Sequence, residues 1–115
     1  ACAAGHATLD IYQKDGLFER AAELEPYWID AAFSLSDVAN VIDVRAMGMV
    51  AAIELEPLAG KPTARAFDAF LKCYERGVMV RTTGDIIAVS PPLIIEKNQI
   101  DQIFDTIGTA LKEAA

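Results

Sequence analysis

Apolar residues follow different rhythms in successive stretches of the chain, and each rhythm predicts an element. Leu17, Ala21, Leu24, Trp28, Ala31 and Leu35 recur at alternating steps of four and three, which marks one stripe of an amphipathic helix packed against something broad. Pro26 falls inside that stripe and is expected to bend the helix, because it lacks an amide donor and crowds the turn before it. Ahead of it, Ala1 to Lys14 is compatible with a helix carrying Leu9 and Tyr12 on one face, and Asp15-Gly16 supplies a break. After a polar connection from Ser36 to Asn40 the spacing changes to that of strands. Val41 to Val44 and Met49 to Leu55 read as two strands around Arg45-Ala46-Met47-Gly48. In the second, Met49, Ala51, Ile53 and Leu55 alternate with Val50, Ala52 and Glu54, so both faces are largely apolar and the strand belongs inside a sheet.

Pro57 to Pro62 is a loop, and Thr63 is placed to cap a helix whose expected face is Phe67, Phe70, Leu71 and Tyr74 and whose stop is Gly77. Asp68 and Lys72 are spaced for a surface pair on that helix. Gly77 to Ile95, GVMVRTTGDIIAVSPPLII, then reads as an apolar hairpin. One strand ends in Arg81, the turn is Thr82-Thr83-Gly84-Asp85, and the second strand runs to Pro91-Pro92, where the Ser90-Pro91 or Pro91-Pro92 bond is a candidate cis peptide. Glu96 to Ala115 forms a last helix with Ile100, Ile103, Phe104, Ile107 and Leu111 at helical spacing, and Gln99 is placed to close a cap with Glu96. The order is helix, two strands, helix, two strands, helix. Short turns favour an antiparallel sheet, and three amphipathic helices on one face of it make a two-layer α+β domain.

Bulk properties narrow the function. A chain of 115 residues that is 53% hydrophobic has the size of one ordinary domain with a modest core. The net charge of -7 opposes binding to a phosphate backbone or an anionic membrane surface, so neither nucleic acid nor membrane is an expected partner. Cys2 and Cys73 form no CxxC pair, and a single histidine leaves no zinc-like cluster; a reduced, cytoplasmic protein is the simplest expectation. The opening ACAAGHATLDIYQK carries neither an initiator methionine nor a capping residue, which suggests a piece of a longer protein cut in or near a helix.

The usual catalytic constellations do not form. His6 stands alone with no nucleophile motif beside it, and Glu54 and Glu56 resemble solvated strand-end acids more than an acid/base pair. Cys73, next to Tyr74 on a helix, reads as a small buried hydrophobe, and no GxGxxG or phosphate loop is present. Arg81 is the strongest candidate. A guanidinium is always charged, and its planar fork matches a carboxylate. From spacing alone Arg81 could equally pair with Asp85 across its own turn or point to water, and Arg45, beside the Gly48 turn, is a rival anion site.

The segments DVANVIDVRAMGMVAAIELEP, TARAFDAFLKCYERGVMVR and SPPLIIEKNQIDQIFDTI together resemble the C-terminal small domain of class III pyridoxal-phosphate-dependent aminotransferases. The run VRTTGDIIAVSPPLII is most similar to the omega-amino acid:pyruvate group, which includes β-alanine:pyruvate transaminase. The resemblance implies a fold type I enzyme, a homodimer or homotetramer, that moves an amino group from an omega-amino acid or amine to pyruvate with pyridoxal 5'-phosphate as carrier. It implies that residues 1–115 are one small domain, that residues 1–16 link it to a missing large domain of the same chain, and that the cofactor and its lysine belong to that missing part. Lys14, Lys61, Lys72, Lys97 and Lys112 match no cofactor-lysine motif, so this chain supplies no catalytic or cofactor-binding residue and should be inactive alone. Arg81 matches the mobile arginine that grips the substrate carboxylate. The competing expectation is a free-standing regulatory or interaction module whose hairpin arginine holds a small carboxylate.

Overall fold

A computed structural model describes residues 1–114. Four helices and four strands follow in the order α1 (Cys2–Lys14), α2 (Leu17–Phe33), β1 (Val41–Met47), β2 (Val50–Leu55), α3 (Ala64–Glu75), β3 (Arg81–Thr83), β4 (Ile86–Val89) and α4 (Lys97–Glu113). The strands make one antiparallel sheet in the order β1-β2-β4-β3, so two hairpins meet along β2 and β4 with α3 as the connection between them. The expected α+β two-layer arrangement is present, with α2, α3 and α4 packed on one face.

Strand alternation decides which residues that face buries. Val44, Ile53, Ile87 and Thr82 lie in register across the four strands on the helix side, and Ile53 and Ile87 are fully buried. The helices bring Leu24, Trp28, Ala32, Ile100, Phe104, Ile107 and Leu111 onto this row and its neighbours. Trp28 meets Phe104 edge-on, with ring centroids 4.9 Å apart. Gly108 on α4 lets Leu35 approach, since a Cβ there would sit 3.2 Å from its side chain.

Helix α1 buries none of its residues and leans on α2 through an edge contact between Tyr12 and Phe18. The break between them falls at Gly16, whose φ of 59° suits a residue without a Cβ. The predicted stripe of α2 is the buried one, joined by Ala32, and the helix runs through Pro26 from Leu17 to Phe33. Trp28 belongs to the core, whereas Phe33 stays exposed.

Four expectations change. The first hairpin is longer than its sequence suggested: Arg45, Ala46 and Met47 belong to β1, and only Gly48 and Met49 turn, with the Gly48 N–H donating to Glu25 Oε1 at 2.8 Å. Thr63 stands at the start of α3 but its side chain caps nothing, and its φ is 70°. The face of α3 differs from the expected one, of which only Phe70 packs against the core. Ala66, Ala69 and Cys73 face the core, while Phe67, Leu71 and Tyr74 are exposed, because small side chains let the helix settle close to the sheet and its large ones must then point away. In the second hairpin Val78 and Val80 are buried ahead of the strand, and the strand begins at Arg81 rather than ending there. Among the described residues all peptide bonds are trans, including those at Pro91 and Pro92. The predicted cap of α4 is present, with Gln99 Oε1 accepting the Glu96 N–H at 2.9 Å, and its proposed last residue, Ala115, lies outside the described residues.

Two outcomes follow from this packing. Replacing Trp28 by Ala should destabilise the chain by about 3–5 kcal/mol, the usual loss for a fully buried aromatic, while Phe33→Ala stays within about 0.5 kcal/mol; urea unfolding measures both. Burial pushes the Cys73 thiol up to about 11, against a smaller opposing pull from Arg76. An unfolded chain gives up that proton from pH about 9 while the folded one keeps it, so this contribution is complete below pH 9 and is lost as pH rises toward 11. Native Cys73 should therefore resist a thiol reagent at pH 8 while the exposed Cys2 reacts, and the fall in unfolding midpoint from pH 8 to about 10.5 should shrink in Cys73→Ala.

Candidate functional site

The helices cover one face of the sheet, and the alternation of side chains leaves a different set on the other. Arg45, Ala52, Ala88 and Arg81 are partners in register from β1 to β3, so two arginines stand at the ends of one row with two alanines between them. At the ordinary strand spacing their backbones are separated by about 14 Å. The next row on this face is Asp43, Glu54, Ile86 and Thr83. These neighbours decide the fate of each arginine.

Arg45 is satisfied within its own hairpin. Its Nη1 donates to Glu54 Oε2 at 2.7 Å and also to Asp43 Oδ2, and these bonds, Glu54 first, hold the guanidinium charged above its ordinary range. The rival anion site is thus an exposed three-residue ion cluster. Arg20 is likewise engaged, donating to the Leu93 carbonyl at 2.8 Å and to Glu96 at 2.9 Å, which ties α2 to the corner after β4. Arg76 bonds the Lys72 carbonyl and Glu113. Arg65, in the first turn of α3, is 9% exposed, and its Nε and Nη1 are buried without a hydrogen-bond partner.

Arg81 differs from all of these. It is exposed and makes no hydrogen bond or ion pair with the described residues. Ala88, its neighbour in the row, offers neither charge nor bulk. Asp85, the only acid of the second hairpin, turns elsewhere: both its carboxylate oxygens lie 3.0 Å from the Thr63 amide nitrogen. Arg81 borders a cleft of about 650 Å³ walled by Met79, Val80, Ala88, Pro91, Ile94 and Gln102. A cation at the margin of a mostly apolar concavity is suited to grip a small carboxylate while the walls accept the rest of the molecule.

The remaining candidates are not drawn into this cleft. His6 lies on the exposed α1, Glu54 serves Arg45, and Glu56 donates its N–H to the Asn40 carbonyl at the end of β2. Lys72 pairs with Asp68 at 2.7 Å, as spacing predicted, and Lys97 sits 5.0 Å above the Tyr27 ring. Among the described residues no lysine lines the cleft, so these residues do not fit as a holder for an aldehyde cofactor. Among the described residues no group of three or more histidine, cysteine or acidic side chains is placed to hold a metal ion, and no helix is long and apolar enough to cross a membrane. Sequence reasoning missed the alanine pair of the open row and the bond between Asp85 and Thr63. The alternation of β2 signalled the first in part; the second joins residues from different elements and has no local signal.

Comparison with known proteins gives one answer at three levels. Residues 1–111 match the family model Aminotransferase class-III. An omega-aminotransferase of Caulobacter vibrioides is 58% identical over 111 residues, which is 96% of this chain and 25% of that protein. A beta-alanine–pyruvate aminotransferase of Pseudomonas aeruginosa is 39% identical over the whole chain, which is 26% of its own length. The adenosylmethionine-8-amino-7-oxononanoate aminotransferase from Methanocaldococcus jannaschii superposes with a TM-score of 0.88 at 28% identity, over 98% of this chain and 27% of that one. The chain thus spans about a quarter of the length of the relatives it matches. It belongs to the class III aminotransferases and has the architecture of a part of their fold type I structure.

Proposed function

We propose that this chain is the C-terminal small domain of an omega-amino acid:pyruvate aminotransferase, in which Arg81 binds the substrate carboxylate. Residues 1–16 lead into it from a large domain of the same polypeptide, which holds pyridoxal phosphate. When bound, that cofactor carries the amino group from donor to acceptor. The observation that carries the proposal is the unpartnered guanidinium of Arg81 beside an apolar cleft, in a chain whose other exposed arginines are all paired with acids. The high identity to an omega-aminotransferase and the match to a beta-alanine–pyruvate enzyme support the subgroup.

What the chain's own residues do follows from their chemistry. Pyruvate and alanine each present a carboxylate that the Arg81 fork can take in two parallel hydrogen bonds, which fixes the orientation of the carbon to be aminated. An amine donor that lacks a carboxylate would leave the same cation unpaired in a closed site, at a cost that falls if the side chain swings out. Arg81 is free to make that movement because it stands at the first residue of an edge strand, next to alanine, and its guanidinium bonds none of the described residues. Met79 and Ile94, apolar but exposed in this chain, would keep water from the ion pair and strengthen it once the large domain covers them.

In the full-length enzyme, Arg81→Ala should weaken reaction with pyruvate by roughly 2–5 kcal/mol in kcat/KM, the usual loss when one member of a buried charge pair is removed. Reaction with a simple amine donor, followed separately as a half-reaction, should change far less. Equal losses for both substrates would mean that Arg81 supports the fold and does not read the carboxylate.

A further inference from the structure

Arg81 has one potential rival for its substrate within its own hairpin, and the structure holds that rival away. Asp85 is the only acid between Arg81 and Val89. It sits in the two-residue turn between β3 and β4, four positions from Arg81. Nothing in the sequence prevents the two from pairing. In the structure the Asp85 carboxylate instead receives the Thr63 N–H on both oxygens at 3.0 Å, and the Asp85 carbonyl accepts the Leu55 N–H at 2.9 Å. The turn is therefore fastened twice, by its side chain to the start of α3 and by its backbone to the end of β2.

Thr63 bears a cost for its share in this. Its φ of 70° is a left-handed conformation that a β-branched residue rarely adopts. Strain of that kind persists where surrounding bonds over-determine the backbone. Here the compensating bond is charge-assisted, from an amide that would otherwise be one of the unsatisfied donors at a helix start. The paired segment of β3 is only Arg81–Thr83, so the hairpin has few other bonds to hold its place.

We propose that Asp85 is a positioning residue for Arg81: through the Thr63 N–H it anchors the β3–β4 turn and withholds the hairpin's own carboxylate from the guanidinium. This rests on the assignment of Arg81 as the carboxylate grip. A freed Asp85 carboxylate, tethered a few residues away, would compete at an effective concentration in the millimolar range, comparable to a small keto acid in solution. An untied turn would also let β3 fray and carry Arg81 out of line. The tie prevents both.

The experiment uses the full-length holoenzyme and follows the pyruvate and amine half-reactions separately through the cofactor absorbance. Asp85→Ala should raise the apparent Kd for pyruvate about tenfold, the scale of one hydrogen bond to a charged group. The limiting rate constant and the amine half-reaction should change several times less. Asp85→Asn keeps an oxygen acceptor for the Thr63 N–H and should recover most of the affinity. On an Arg81→Ala background, Asp85→Ala should add almost no further loss toward pyruvate, because the two act through one contact. Should Asp85→Ala not yield folded enzyme, Asp85→Ser carries the same comparison. Equal losses in both half-reactions, an Asp85→Asn variant as impaired as Asp85→Ala, or additive losses in the double variant would each overturn the positioning role. If Arg81→Ala alone spares pyruvate, the carboxylate grip itself fails and the role of Asp85 fails with it; if Arg81→Ala is selective and Asp85→Ala is not, only the positioning role fails.

Discussion

The pairing of β2 with β4 is the constraint on which both the core and the cleft depend. It is the seam between two hairpins separated by the whole of α3, and its register places Ile53 against Ile87 and Ala52 against Ala88. A slip of one residue would turn the isoleucines to the open face and bring the alanines, with Arg81, to the helices. Burial of Ile53 and Ile87 thus does more than stabilise the sheet: it sends Arg81 to the open face, the side on which the proposed carboxylate contact would form. Packing energy on one face of the sheet fixes chemistry on the other.

Much of the architecture was legible because helix and strand periods differ. The stripe of α2 and the spacing of Ile100, Phe104, Ile107 and Leu111 on α4 leave one face to bury in each case, and those faces are the buried ones. Helix α3 was misread for a physical reason. It has two faces able to meet apolar surface, one large and aromatic, the other small, and periodicity does not say which meets the sheet. Close approach favoured Ala66, Ala69 and Cys73, while Phe70 packs partly buried at the core's edge and carries Phe67 and Tyr74 stacked outside it with centroids 5.9 and 6.3 Å away. Thr63 departs from expectation for a related reason: a good capping residue is of use only if its backbone is extended, and here it is left-handed with its N–H bound to Asp85.

The site was legible only in part. Spacing alone left Arg81, Arg45 and an internal pair with Asp85 all open, because each has an acid within reach along the sequence or across a turn. What separates them is cross-strand register. Arg45 faces Ala52 but has Glu54 and Asp43 beside it on the same side of the sheet, and it closes on both. Arg81 faces Ala88 and finds Ile86 and Thr83 in the adjoining row, neither of them able to answer its charge. Two cations at opposite ends of one row therefore meet opposite fates, and no motif search distinguishes them.

An acidic chain makes that difference meaningful. With seventeen carboxylates against ten basic side chains, an exposed arginine is surrounded by potential partners, and Arg20, Arg45 and Arg76 have each found one. A cation remains available for a small anion only where its neighbours are chosen to leave it so. Alanine in the row, mostly apolar walls along the cleft, a Glu96 carboxylate in that wall already taken by Arg20 and an aspartate held by a backbone amide together meet that condition at Arg81. The negative surplus elsewhere works in the same direction: a field that repels anions in general leaves short-range attraction by a free guanidinium as the selective element in the reading proposed for Arg81. Arg81 is thus defined as much by the partners withheld from it as by its own charge.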